Sequence, residues 1–285
     1  MKQDYIRLFD EYTHGTMPRR EFLKRLSVLA GSAAAANAML PLLEGKEVMA
    51  QQVAEDHTDI VTADESFAGV EGRFLLYTAR PKGEGPFPTV VVIHQNRGLT
   101  PHIKDVARQM ALFGFLAVAP DALSPMGGAP ADQDKGRLMM RELDRAKTME
   151  DFISAVSYAK NHEFSNGKVG CMGFCWGGSM SGQLSFRAPD LDAAVVYYGG
   201  PPATEDVGKI RVPLLLHYAG LDERINARVP DFEAALNVHG KSYQTYMYEG
   251  ANHAFNDSSR PARYDEKSSK LAYERTVSFL KKHLS

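Results

Sequence analysis

The residue most able to do chemistry in this chain is Cys175, within Gly173-Phe174-Cys175-Trp176-Gly177-Gly178. A reactive side chain bracketed by glycines two residues away on either side is the pattern of a nucleophile elbow. There a strand reverses sharply into a helix, and only tiny neighbours fit the bend. Such a turn lifts the side chain clear of the sheet and leaves it at a helix N-terminus, where backbone N–H groups favour an anion. A free thiol has a pKa of about 8.5, so a nearby imidazole can populate the thiolate at neutral pH. Cys171 lies four residues earlier inside the expected strand and reads as core, although a Cys171/Cys175 redox pair is a second use of the two sulfurs.

A cysteine nucleophile needs a base and a group to orient that base. Both occur downstream in the order nucleophile, acid, base: Asp222 in Gly220-Leu221-Asp222 and His253 in Asn252-His253-Ala254-Phe255. Each follows an expected strand, and strand C-terminal ends are where open α/β sheets gather ligands. Of the other histidines, His94, His102 and His217 lack that place in the order. No H-E-x-x-H or paired CxxC pattern is present, so no metal and no other cofactor is expected. The oxyanion formed by attack on a carbonyl calls for backbone donors, namely the N–H of Trp176 and that of Gln95 or Asn96 in the turn His94-Gln95-Asn96-Arg97-Gly98.

These residues must be held by a frame. With 285 residues, net charge −2, 44% hydrophobic and 24% charged residues, the composition is globular and excludes a disordered chain or one that binds nucleic acid by positive charge alone. Apolar β-branched runs at 89–93, 115–119, 168–173, 193–198 and 213–218, with an alternating run at 243–248, are separated by helical patterns. Among these, Ile103, Val106, Ala107 and Met110 share one face, as do Met149, Phe152, Ile153 and Val156, and Tyr273, Val277, Leu280 and Leu284. That alternation implies an α/β fold: a mainly parallel central sheet with helices on both faces, forming one domain over 67–285 behind a polar linker at 51–66.

Residues 1–50 differ in kind. Arg19-Arg20-Glu21-Phe22-Leu23-Lys24 precedes an uncharged run over 26–43, which resembles a twin-arginine export signal with Val48-Met49-Ala50 as a cleavage site. On that reading the export machinery is a partner and the mature protein is periplasmic. The alternative is a cytoplasmic protein whose N-terminal helical extension packs on the body. The run is too weakly apolar for a stable membrane span.

With elbow, acid and base in place, the sequence resembles the dienelactone hydrolase family of α/β-hydrolases over most of 60–285. The resemblance rests on residues 90–99 (VVVIHQNRGL), Ala119-Pro120-Asp121, the elbow itself, Asp222, 250–255 (GANHAF) and 274–280 (ERTVSFL). It implies the α/β-hydrolase fold, Cys175 as nucleophile, His253 as base, Asp222 as orienter, and hydrolysis of a small ester or lactone without a cofactor. Two positions depart from the family. Gln95 stands where the dienelactone enzymes carry a Glu beside the nucleophile, and 256–258 (NDS) replaces an Arg that follows their catalytic His. Both argue against dienelactone itself as substrate. Arg97 or Arg224 could clamp a substrate carboxylate instead, and Met126, Tyr198 and Phe255 could line the pocket. The other readings are a non-catalytic binding protein on the same fold and a thiol redox protein.

Overall fold

The computed structural model describes residues 3–44 and 51–285. An eight-stranded sheet runs in the order β1-β2-β4-β3-β5-β6-β7-β8. Its strands are β1 (Ile60–Gly69), β2 (Gly72–Pro81), β3 (Phe87–Ile93), β4 (Leu116–Pro120), β5 (Ser165–Phe174), β6 (Ala193–Tyr197), β7 (Leu214–Ala219) and β8 (Tyr243–Tyr248). β2 pairs antiparallel with β1 and β4, and every other pair is parallel. The central strands are buried along their whole length, which is why they read as unbroken apolar runs.

Helices cover both faces. One face carries α4 (Pro101–Leu112) and α10 (Glu266–Leu284), packing Ile103, Val106, Met110 and Leu280 onto Val90, Val92 and Leu215. The other carries α6 (Arg145–Lys160), α7 (Trp176–Arg187) and α9 (Val229–Val238), with Phe152, Val156, Leu184 and Phe232 against Val91, Ile93 and Leu216. Alternate residues of one strand thus serve two separate cores. Asp144 caps α6 by accepting from the N–H groups of Ala146 and Lys147. The short helices α5 (Gln133–Glu142) and α8 (Glu223–Asn226) flank the C-terminal edge of the sheet.

The sheet begins earlier than expected. β1 starts at Ile60, inside the segment 51–66 read as a linker, and the chain before it is also pinned. The Asp105 carboxylate accepts from the N–H groups of Gln52 and Val53, and buried Arg108 donates to the Val53 carbonyl at 2.7 Å. A polar segment can therefore be structural when buried charges on a helix satisfy its backbone. β1 escaped the reading because it lies at the sheet edge, where half its residues face water and the apolar run is lost.

The N-terminal residues form α1 (Gln3–His14), α2 (Arg19–Ala30) and α3 (Ala33–Glu44), which share a small core of Leu8, Phe9, Tyr12, Phe22, Leu26 and Leu43. The rings of Tyr12 and Phe22 stack at 4.5 Å. This unit is fastened to the body by polar contacts. Arg263 donates to Asp10 at 2.7 Å, Arg137 donates to the Tyr12 hydroxyl at 2.8 Å, and Asn96 donates to the Thr13 carbonyl at 3.2 Å. Arg19, of the arginine pair, bridges Glu44 and Asp134. No single helix among the described residues is long and apolar enough to cross a membrane. The expected cleavage site 48–50 lies outside the described residues.

Candidate active site

Cys175 sits at the junction of β5 and α7 with φ 58° and ψ −112°, a backbone conformation that a non-glycine residue holds only under strain. The strain is enforced by close packing. A Cβ on Gly173 would come 2.0 Å from the Gly177 carbonyl oxygen, and one on Gly177 would come 2.4 Å and 2.5 Å from the carbonyl oxygens of Ile93 and His94. The second approach also sets the turn after β3 against the elbow, which brings the backbone of Gln95 and Asn96 beside the start of α7. His94 locks that turn: its ring stacks on Trp176 at 5.3 Å, its Nδ1 donates to the Gln95 carbonyl, and its Nε2 accepts from the Ala122 N–H at 3.0 Å.

Asp222 and His253 reach the same place from the ends of β7 and β8. Asp222 caps α8, with Oδ1 accepting from the Ile225 N–H at 3.3 Å, and this frees Oδ2 to accept from His253 Nδ1 at 2.5 Å. His253 Nε2 is buried with no hydrogen-bond partner, and a ring nitrogen of His253 lies within 4.8 Å of Cys175 Sγ. Burial alone would lower the His253 pKa, but the facing Cys175 and the Asp222 carboxylate outweigh it and raise the imidazole to about 10. Burial would likewise raise the Cys175 thiol. The charge of His253, with Arg224 and the Trp176 N–H, pulls it below its ordinary value instead. Facing His253, the thiol ionises more readily than a free thiol does.

A third group meets the sulfur that sequence spacing gave no means of finding. His14, the last residue of α1, places Nε2 at 3.3 Å from Cys175 Sγ, and its ring lies 4.8 Å from that of His253. The pair is separated by 161 positions in the chain. Each of His14, Cys175 and His253 offers one donor atom within 4.8 Å of the others, the one such trio among the described residues suited to a soft metal ion.

A cavity of about 1040 Å³ opens onto Cys175, His253 and His14, with Asn96, Trp176, Tyr198 and Arg224 on its wall. Its wall carries six arginines, Arg137, Arg141, Arg145, Arg187, Arg224 and Arg228, and no carboxylate. Arg141 donates to the Gly15 carbonyl, Arg187 to the Gln183 side chain and Arg228 to the Pro201 carbonyl, all neutral acceptors that leave the charge unbalanced.

Some expected contacts lie elsewhere. Arg97 is 3% exposed and buried behind the cavity wall, where the facing charges are Asp257, Asp134, Arg263 and Arg137. Phe255 is wholly buried against Tyr198 and Tyr248, and Met126 lies on a 3-10 turn after β4, away from the wall. The Gln95 amide is turned to Asp257 at 3.3 Å. Arg260, the first arginine after His253, pairs with Asp257 at 2.9 Å. Cys171 is a free thiol on the opposite core from Cys175, and burial pushes it up to about 12. That separation leaves the redox pair without the facing side chains a disulfide requires.

A parallel sheet flanked by helices, with a strained elbow and a loop histidine converging at the strand ends, defines an α/β-hydrolase. Residues 74–284 match the dienelactone hydrolase family, and the chain belongs to it, which makes it a hydrolase of ester or lactone bonds. Residues 1–31 match a separate family described as YqhI-like. The chain is 31% identical to a probable 2-oxo-3-(5-oxofuran-2-ylidene)propanoate lactonase of Bradyrhizobium sp, over 82% of this chain and 96% of that protein. It is 32% identical to a putative carboxymethylenebutenolidase of Saccharolobus solfataricus, over 70% and 91%. The crystal structure of a putative dienelactone hydrolase from Klebsiella pneumoniae superposes with a TM-score of 0.69 at 27% identity, covering 78% of this chain and 98% of that one.

Proposed function

We propose that the chain hydrolyses small esters or lactones bearing a negatively charged group, through a Cys175–His253–Asp222 triad and a thioester intermediate. The observation that carries the reading is the elbow sulfur facing an imidazole whose other nitrogen is held by a buried carboxylate. In the first half-reaction His253 Nε2 takes the Cys175 proton and the thiolate adds to the substrate carbonyl. The Trp176 N–H, with that of Gln95 or Asn96, steadies the oxyanion. The tetrahedral adduct collapses by breaking the carbonyl-carbon-to-alkoxy-oxygen bond, and His253 returns the proton to that oxygen. In the second half-reaction His253 removes a proton from water, hydroxide displaces the thiolate from the thioester, and the acid leaves.

The charged substrate follows from the cavity. Arg137 pairs with Asp134, but Arg141, Arg145, Arg187, Arg224 and Arg228 form no ion pair among the described residues and make an anion-attracting wall, and Arg224 also acts on Cys175 electrostatically. The test is hydrolysis by the full chain of matched chromogenic esters, one neutral and one carrying a carboxylate. Activity abolished by Cys175→Ala and preference for the carboxylated ester support the proposal. Full activity in Cys175→Ala would defeat it.

A further inference from the structure

The N-terminal helical unit does more than cover the body, because it ends on the reacting atom. His14 Nδ1 faces the Asp10 carbonyl oxygen at 3.1 Å and the Asp10 carboxylate at 3.6 Å, and neither can donate. The nearby Thr13 hydroxyl, 3.1 Å from Nδ1, gives its proton to the Phe9 carbonyl at 2.9 Å. The ring proton therefore belongs on Nδ1, which leaves Nε2 as a bare acceptor aimed at Cys175 Sγ. Burial, strengthened by the charges of His253, Arg224 and Arg263, holds the His14 imidazole well below its ordinary range, so it stays neutral.

A neutral acceptor at 3.3 Å binds a thiol S–H and repels a thiolate. The two imidazoles on the sulfur thus oppose one another. His253, backed by Asp222, stabilises the thiolate, whereas His14, backed by the Asp10 carbonyl, stabilises the thiol. The Gln95 amide does not share this task, since it is committed to Asp257. We propose that His14, delivered by the N-terminal unit, is a further catalytic residue that accepts a hydrogen bond from the Cys175 thiol and so opposes the ionisation that His253 promotes. The inference rests on Cys175 being the nucleophile. It also requires that residues 3–44 stay attached, because processing at 48–50 would remove His14 from the sulfur.

The charged and titratable groups facing this pair are Asp10 on α1, Tyr198 after β6, Asp222 and Arg224 after β7, and His253 and Arg263 after β8. All are kept in the experiment. The rate of Cys175 alkylation by iodoacetamide is measured against pH in the full chain and in His14→Ala, with the site of alkylation read by peptide mass. Removing the acceptor is expected to move the midpoint to lower pH by about one unit, a rate about tenfold faster on the acid side. Added imidazole should return it toward the wild-type value. An unmoved or raised midpoint overturns the proposal. A lowered midpoint that imidazole leaves untouched also overturns it, since solvent entry alone would then account for the shift. Folding of the variant is checked by thermal melting, and His14→Gln, which keeps a carbonyl acceptor, should lie between the two. Ester hydrolysis surviving in Cys175→Ala would refute the nucleophile assignment by itself, while the alkylation profile still reports on His14.

Discussion

His253 Nδ1 lies 2.5 Å from Asp222 Oδ2, and both groups are buried. That contact fixes the tautomer that leaves Nε2 bare toward Cys175. Asp222→Asn offers the imidazole an amide in place of a carboxylate, which stabilises neither the tautomer nor the imidazolium. We expect kcat to fall by about a hundredfold or more with little change in KM, measured on a short-chain ester.

The pH dependence follows from the same pair. The thiol is held below its ordinary value and the imidazole is raised to about 10, so the thiolate–imidazolium pair exists between those two ionisations. Acid protonates the thiolate, and base removes the His253 proton. Log kcat/KM should rise from acid to a plateau and bend down near pH 10, checked with a substrate that is stable there.

Neutralising the cavity wall should change selectivity more than chemistry. Arg224→Gln is expected to lower the ratio of kcat/KM for a carboxylated over a neutral ester by about tenfold, the scale of one charge-assisted hydrogen bond. Taking the ratio cancels the effect that Arg224 exerts on Cys175 itself.

A stability prediction concerns the sheet edge. Glu65 on β1 faces His162 at 3.3 Å and accepts from the hydroxyls of Tyr158 at 2.5 Å and Thr78 at 2.7 Å. The His162 bond lowers its carboxyl, burial opposes, and with the two hydroxyls the net result is about 2. A depressed carboxyl stabilises the folded state above its unfolded pKa, and that stability disappears as the pH falls from about 4.5 to about 2. Denaturant melts should show Glu65→Gln less stable than wild type at pH 7, with the gap closing over that interval.

The parts that sequence made legible are those governed by local rules. Buried parallel strands must be apolar throughout, so β3 to β7 stood out. The elbow needs glycines two residues from the nucleophile, and 173–178 announced it. Asp222 and His253 were legible because each follows a strand, and strand ends converge. β1 was missed because an edge strand is half polar. Arg97 was expected at the substrate, but its position along the turn says nothing about which way a long side chain folds, and it went under the wall.

What the amino-acid sequence determined by itself is the six strands β3 to β8, the bend at Cys175 and the placing of Asp222 and His253 after strands, since backbone sterics and apolar periodicity act over a few residues. Only the tertiary structure decided that α1 would dock over the strand ends, that six arginines from separate elements would share one cavity, and that His14 would reach a sulfur 161 positions away. Those relationships depend on how whole elements pack, and no local pattern encodes a contact between surfaces that are far apart in the chain.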